Sequence, residues 1–93
     1  ALASASELAT ARLEALEQHR PYSTLVSTFN STTETSATAG ANPPMTQYPG
    51  YTRTTSVVRT GPTTTDDYVT VTITVTQTGT STTVRKSLVI AAF

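Results

Sequence analysis

The residues able to do chemistry are few. His19 is the only histidine. It precedes Arg20 and Pro21, where an amphipathic stretch ends. Positive charge suits the end of a helix, and no nucleophile or carboxylate is spaced to work with the imidazole. The expectation is a dipole-matched surface residue rather than a general base. Asp66 and Asp67 are adjacent in a threonine-rich turn. Two carboxylates offer oxygen ligands to a hard cation, but no third acidic residue lies nearby, so a solvated turn is expected. Serine and threonine abound, yet none sits in a nucleophile elbow, and no glycine-rich phosphate loop is present. Arg53, Arg59, Arg85 and Lys86 read as ordinary surface cations. With no acid–base constellation, the chain is expected not to be an enzyme and to need no cofactor. It has no cysteine, hence no disulfide framework and no thiolate metal site.

Threonine is the commonest residue, and its alternating rows suit exposed strand positions. Ice-binding arrays need a repeated flat grid, and no repeat is visible here. Asn30-Ser31-Thr32 has the form of a glycosylation sequon, which carries meaning only in a host that uses it. Charged residues make up 13% of the chain and the net charge is +0. Electrostatics therefore does not direct it to nucleic acid or to an anionic membrane.

These residues must be positioned by a small set of elements. Ninety-three residues allow one domain with one modest core. Residues 1–20 read as the single amphipathic helix. Leu2, Ala5, Leu8, Ala9, Leu13 and Leu16 fall on one stripe, with Glu7, Glu14 and Glu17 opposite. Ser4 and Glu7 have capping-box spacing, yet Leu2 and Ala3 also fit the helical pattern. Either the helix starts near Ser4, or the chain is cut inside a longer helix. Pro21 forbids continuation. Ser23 to Phe29 reads as a short strand or a packed loop. Residues 23–50 form the connection, and from Asn30 to Gly50 periodicity is lost among Gly40, Pro43, Pro44, Pro49 and Gly50. A loop of this length is functional, mobile, or hides a short element. A wrapping surface loop is the plainer expectation; the alternative is a partner-contacting loop anchored by Met45, Tyr48 and Tyr51.

From Tyr51 the period changes to two, and residues 51–93 read as an antiparallel sheet. Tyr51–Thr60 and Tyr68–Gln77 are strands. In the second, Val69, Val71, Ile73 and Val75 face the core and Thr70, Thr72, Thr74 and Thr76 face solvent. Thr78 to Ser81 is a hairpin turn. Thr82–Phe93 returns, and its apolar end suggests a central or covered strand. The expected fold is α+β: one N-terminal helix packed on an antiparallel sheet of three to four strands. Leu8, Leu13, Leu16, Val71, Ile73 and Val75 should share one core, at roughly 1.5–3 kcal/mol for each buried side chain. Leu2 and Ala5 lie where little of the sheet can reach and lack an obvious partner within the domain; with Met45 and Tyr48 they are the residues expected to face a partner.

Ala5, Leu8, Ala9, Arg12, Leu13, Glu14 and Leu16, followed by Pro21, Tyr22 and Leu25, resemble the periplasmic half of the first helix in minor type IV pilins and type II secretion pseudopilins. A variable loop and Thr- and Val-rich strands follow in the order that family has. The resemblance covers the whole chain in architecture and about the first twenty-five residues in motif. The family's leader and hydrophobic membrane helix are not in this chain, so the resemblance implies the soluble half of such a protein. The missing cysteine pair fits a minor member. It implies a structural subunit of a pilus or secretion filament, anchored in the inner membrane before assembly. The expected location is the bacterial periplasm or cell surface, and the expected partners are other pilin or pseudopilin subunits. The other reading is an extracellular β-rich binding or adhesion module that uses the 30–50 loop.

Overall fold

The computed structural model describes residues 2–93. Residue 1 of the expected 1–20 helix lies outside the described residues. Helix α1 runs from Leu2 to Glu17 and buries Ala5, Leu8, Ala9, Arg12 and Leu16. These positions recur every three or four residues, as one helical stripe must. The helix stops earlier than expected. His19 N–H bonds back to Leu16 O at 3.2 Å, and Pro21 follows, so His19 and Arg20 stand beyond the last helical turn. Arg20 turns its guanidinium onto the carbonyls of Glu17 and His19, at 2.9 and 2.8 Å.

Ser23 to Phe29 is neither strand nor loop. A 3₁₀ turn, Tyr22–Thr24, leads into a one-turn helix α2, Leu25–Phe29. Leu25 and Phe29 are four apart, so a single turn puts both on one face, and both are buried. The long connection hides a strand, β1 (Thr32–Glu34). It is followed by β2 (Tyr51–Thr60), β3 (Tyr68–Gln77) and β4 (Thr83–Ala91). The four strands form one antiparallel sheet in chain order. With α1 against one face, the domain is α+β, as the patterning implies.

Strand β3 alternates as expected. Val69, Val71, Ile73 and Val75 are fully buried, while Thr70, Thr72 and Thr74 stay partly accessible on the other face. They share one cluster with Ala5, Leu8, Ala9, Leu16, Leu25, Phe29, Met45, Tyr51 and Val57. Leu13 is only partly buried and packs at the rim of this cluster. The stripe is centred on positions 5, 9, 12 and 16, and position 13 falls on its flank.

Strand β4 is not central. It pairs with β3 alone and forms one edge of the sheet. Its residues alternate between exposed and half-buried. The apolar end that suggests a covered strand splits by parity: Leu88 and Ile90 are half-buried on the helix-bearing face, and Val89 stands 60% exposed on the open face.

Two residues expected at a subunit interface are core residues instead. Ala5 and Met45 have no accessible surface, so neither can touch a neighbouring molecule. Ala5 is on the helix stripe, and the loop folds back to bring Met45 under it. Tyr48 is half-buried, edge-on to Tyr51 with ring centroids 6.3 Å apart. Leu2 is 64% exposed. Leu2→Asp is therefore expected to change the unfolding free energy by less than about 0.5 kcal/mol. Urea titration of the isolated chain measures this, and a loss of several kcal/mol would place Leu2 in the core.

Candidate functional site

The described residues bury few charges, and all of them are in two clusters. The first joins α1, β1 and β2. Position 12 lies in the middle of the helix stripe, between Leu8 and Leu16. Position 53 points inward on β2 by parity, and Glu34 is its cross-strand partner. The stripe and the pleat therefore deliver Arg12, Arg53 and Glu34 to one place. Glu34 Oε1 accepts from Arg53 Nε at 2.9 Å and lies 3.1 Å from Arg12 Nε. Glu34 Oε2 accepts the backbone N–H of Asn42 at 2.7 Å. Arg12 also donates to Thr55 Oγ1, Thr32 Oγ1 and the Asn42 carbonyl. Arg53 donates to Leu8 O at 3.2 Å and Pro43 O at 2.6 Å. The Phe29 ring lies against the Arg12 guanidinium, 4.9 Å from its carbon to the ring centroid.

Two guanidiniums thus share one carboxylate, and threonine hydroxyls and backbone carbonyls take the other donors. Burial lowers the Arg12 pKa; Glu34 opposes that shift and Arg53 adds to it. No buried side-chain nitrogen or oxygen among the described residues lacks a partner. Both carboxylate oxygens of Glu34 are therefore engaged within the protein. The cluster is a clamp that ties the loop at Asn42 and Pro43 to the helix and the sheet.

The second cluster is at the turn between β2 and β3. Arg59 grips Asp67 with two hydrogen bonds, Nε to Oδ1 at 3.0 Å and Nη2 to Oδ2 at 2.7 Å. The Tyr22 hydroxyl donates to the same Oδ1 at 2.8 Å. The Asp67 backbone carbonyl accepts from Ala92 N–H at 3.0 Å. One residue therefore holds the 3₁₀ turn, the β2–β3 turn and the end of β4 together. The Arg59 hydrogen bonds, helped by Tyr22 and opposed by burial, lower the Asp67 pKa to about 2. Burial and the bond to Asp67 raise the Tyr22 pKa.

A carboxylate whose folded pKa is depressed stabilises the fold above its unfolded pKa, which is near 3.9. That contribution is lost as the pH falls through the folded value. Stability is expected to drop between about pH 4 and pH 2, and Asp67→Asn should flatten this part of the profile. Thermal melts of both proteins across that range measure the difference.

These clusters reassign several residues. Asp67 is not in a solvated turn: it is buried and its oxygens bond Arg59 and Tyr22. Asp66 is exposed, and no group of three His, Cys, Asp or Glu residues suited to a metal occurs among the described residues. Arg53 and Arg59 are not surface cations but cluster members. Arg85 is exposed, and Lys86 donates to Thr10 Oγ1 at 2.7 Å. His19 does not sit on a helix dipole. Its Nε2 lies 2.7 Å from Thr24 Oγ1, and its ring meets Phe29 edge-on. In the sequon, Asn30 Oδ1 accepts the backbone N–H of Val57 at 2.9 Å.

Sequence reasoning missed Arg12 and Glu34 as partners of Arg53. One signal was present: an arginine in the middle of an apolar stripe requires a buried acceptor. The acceptor itself lay in a stretch without periodicity.

The sheet face away from α1 is open. Its cross-strand rows are Thr54–Thr74–Arg85, Ser56–Thr72–Ser87 and Val58–Thr70–Val89. It is rich in hydroxyls and carries little charge. No family model, curated protein or solved structure matches the chain.

Proposed function

We propose that the chain is the globular head of a minor pilin or pseudopilin, a structural subunit that works by packing against other subunits. The observation that carries this reading is α1. One stripe of the helix, from Ala5 to Leu16, is spent on its own four-stranded antiparallel sheet. Its first described residue, Leu2, stands 64% exposed. In this reading Leu2, which continues the buried stripe into solvent, belongs to the part of the helix that meets other subunits. In this function the partners are other pilin-like subunits and the location is the bacterial periplasm or surface. The inner membrane is reached through a hydrophobic helix preceding this segment.

Two experiments test it. The coding sequence upstream of Ala1 is expected to supply a prepilin-type leader and an apolar span of about twenty residues. In the native cell, Leu2→Asp should leave the amount of protein unchanged and reduce its co-purification with pilin-like partners. An upstream sequence with neither leader nor apolar span would remove the reading.

A further inference from the structure

We propose that the free edge of β4 is a docking site for an extended segment of another polypeptide, one carrying acidic residues among alternating apolar ones, which adds to the sheet as a further strand. The inference rests on the assembly reading only for the source of that segment, a neighbouring subunit.

The two edges of the sheet differ. On the far edge β1 covers Arg53 to Thr55, and the chain just before it closes much of what remains. Ser31 N–H bonds to Thr55 O at 2.9 Å, Asn30 Oδ1 takes the N–H of Val57, and α2 packs beside β2. The β4 edge has no such cover. Its residues pair with β3 without a bulge, from Thr83 opposite Thr76 to Ala91 opposite Tyr68. No proline interrupts it. Among the described residues nothing hydrogen-bonds to its outer side. An edge this long and regular is a template for another strand, and adding a strand to such an edge is an established mode of peptide recognition. The charges of Arg85 and Lys86 blunt it against uncharged or basic strands and leave it open to an acidic one.

The side chains along the edge define the occupant. Val84, Leu88 and Ile90 face α1 but stay half-buried, and Leu13 at the rim of the helix is also half-buried. A strand laid beside β4 would cover this row with its own inward residues. Adjacent Arg85 and Lys86 project to opposite faces near the middle of the edge; their hydrogen bonds go to the neutral hydroxyls of Thr74 and Thr10, and among the described residues neither is in an ion pair. Opposite charges across a strand pair stabilise it and like charges destabilise it. This selects a segment with acidic residues at its centre. It also disfavours a second copy, because antiparallel β4–β4 pairing would bring two Arg85–Lys86 pairs into one short stretch. The exposed carboxylates Glu7, Glu14 and Glu17 belong to α1 and leave both cations without an ion pair.

The probe is a ten-residue peptide of alternating valine and threonine with two central glutamates and soluble Gly-Ser ends. A matched peptide carries two central lysines. Amide hydrogen exchange of the 93-residue chain is the readout. The acidic peptide should slow exchange of β4 amides at least tenfold and bind at least tenfold more tightly than the basic one. Arg85→Glu with Lys86→Glu should reverse that order; if the pair impairs folding, the exposed Arg85→Glu alone should narrow the gap. Three results would overturn the proposal: no protection on β4, a preference that ignores the charge reversal, or a β4-paired dimer of the chain alone. None of these bears on the upstream leader, so this inference can fail while the assembly reading stands.

Discussion

Glu34→Gln is expected to be the most damaging single exchange in this domain. The side chain keeps its size but loses the one negative charge that, among the described residues, pairs with Arg12 and Arg53, both of which lie within 4% of full burial. Removing one member of a buried ion cluster costs about 3–5 kcal/mol, because the remaining charges stay in a medium that solvates them poorly. A domain of this size has about 5–15 kcal/mol in all, so the variant should be partly unfolded under mild denaturant. Asn42 N–H also loses its carboxylate acceptor, and exchange at the 38–44 loop should speed up first. Urea unfolding and amide exchange measure both effects. A loss under about 1 kcal/mol would mean that the backbone carbonyls alone solvate the two guanidiniums.

The second large effect belongs to Leu16. It is fully buried in the cluster that joins α1 to β3. Leu16→Ala should cost about 2–5 kcal/mol, from lost burial and from the cavity left behind. For a chain of this length, each kcal/mol lowers the melting temperature by about 4–8 °C. Leu13→Ala should cost less than half as much, since Leu13 packs at the rim and keeps part of its surface in water. Paired thermal melts separate the two. Equal losses would place position 13 as deep as position 16.

Much of this architecture is legible in the residues because its periods are clean. The alternation of Val69, Val71, Ile73 and Val75 with threonine fixes both the strand and its buried face. The stripe from Ala5 to Leu16 fixes the helix, and short turns make the sheet antiparallel. Legibility fails where tertiary contact overrides local pattern. Thr32 to Glu34 is too short to show alternation, and becomes a strand because β2 offers a free edge and Glu34 finds Arg53. Leu25 to Phe29 reads as well for a strand as for a helical turn, since two apolar residues four apart fit either. The apolar end of β4 suggests a central strand, but edge or centre depends on sheet order, which composition does not encode. The buried clusters are the hardest part. Their members are 19 and 43 positions apart in the bonds Glu34–Arg53 and Arg12–Thr55, and charge in a sequence reads as surface until a partner is found.

The meander has a consequence for how the protein is made. Helix α1 is made before its sheet, with Leu8 and Leu16 on one side, and the strands that cover them, β3 and β4, follow only after β1 and β2. At about 5–20 residues per second the stripe spends several seconds without its own sheet. Once β2, β3 and β4 emerge, their short turns let them pair as successive hairpins, while the bonds from α1 and Tyr22 to the sheet must close gaps of 43 and 45 positions. Local contacts form sooner than distant ones, so helix docking comes late. During that interval the apolar residues of the stripe stay uncovered, and it is in this state that a chaperone would meet the nascent chain.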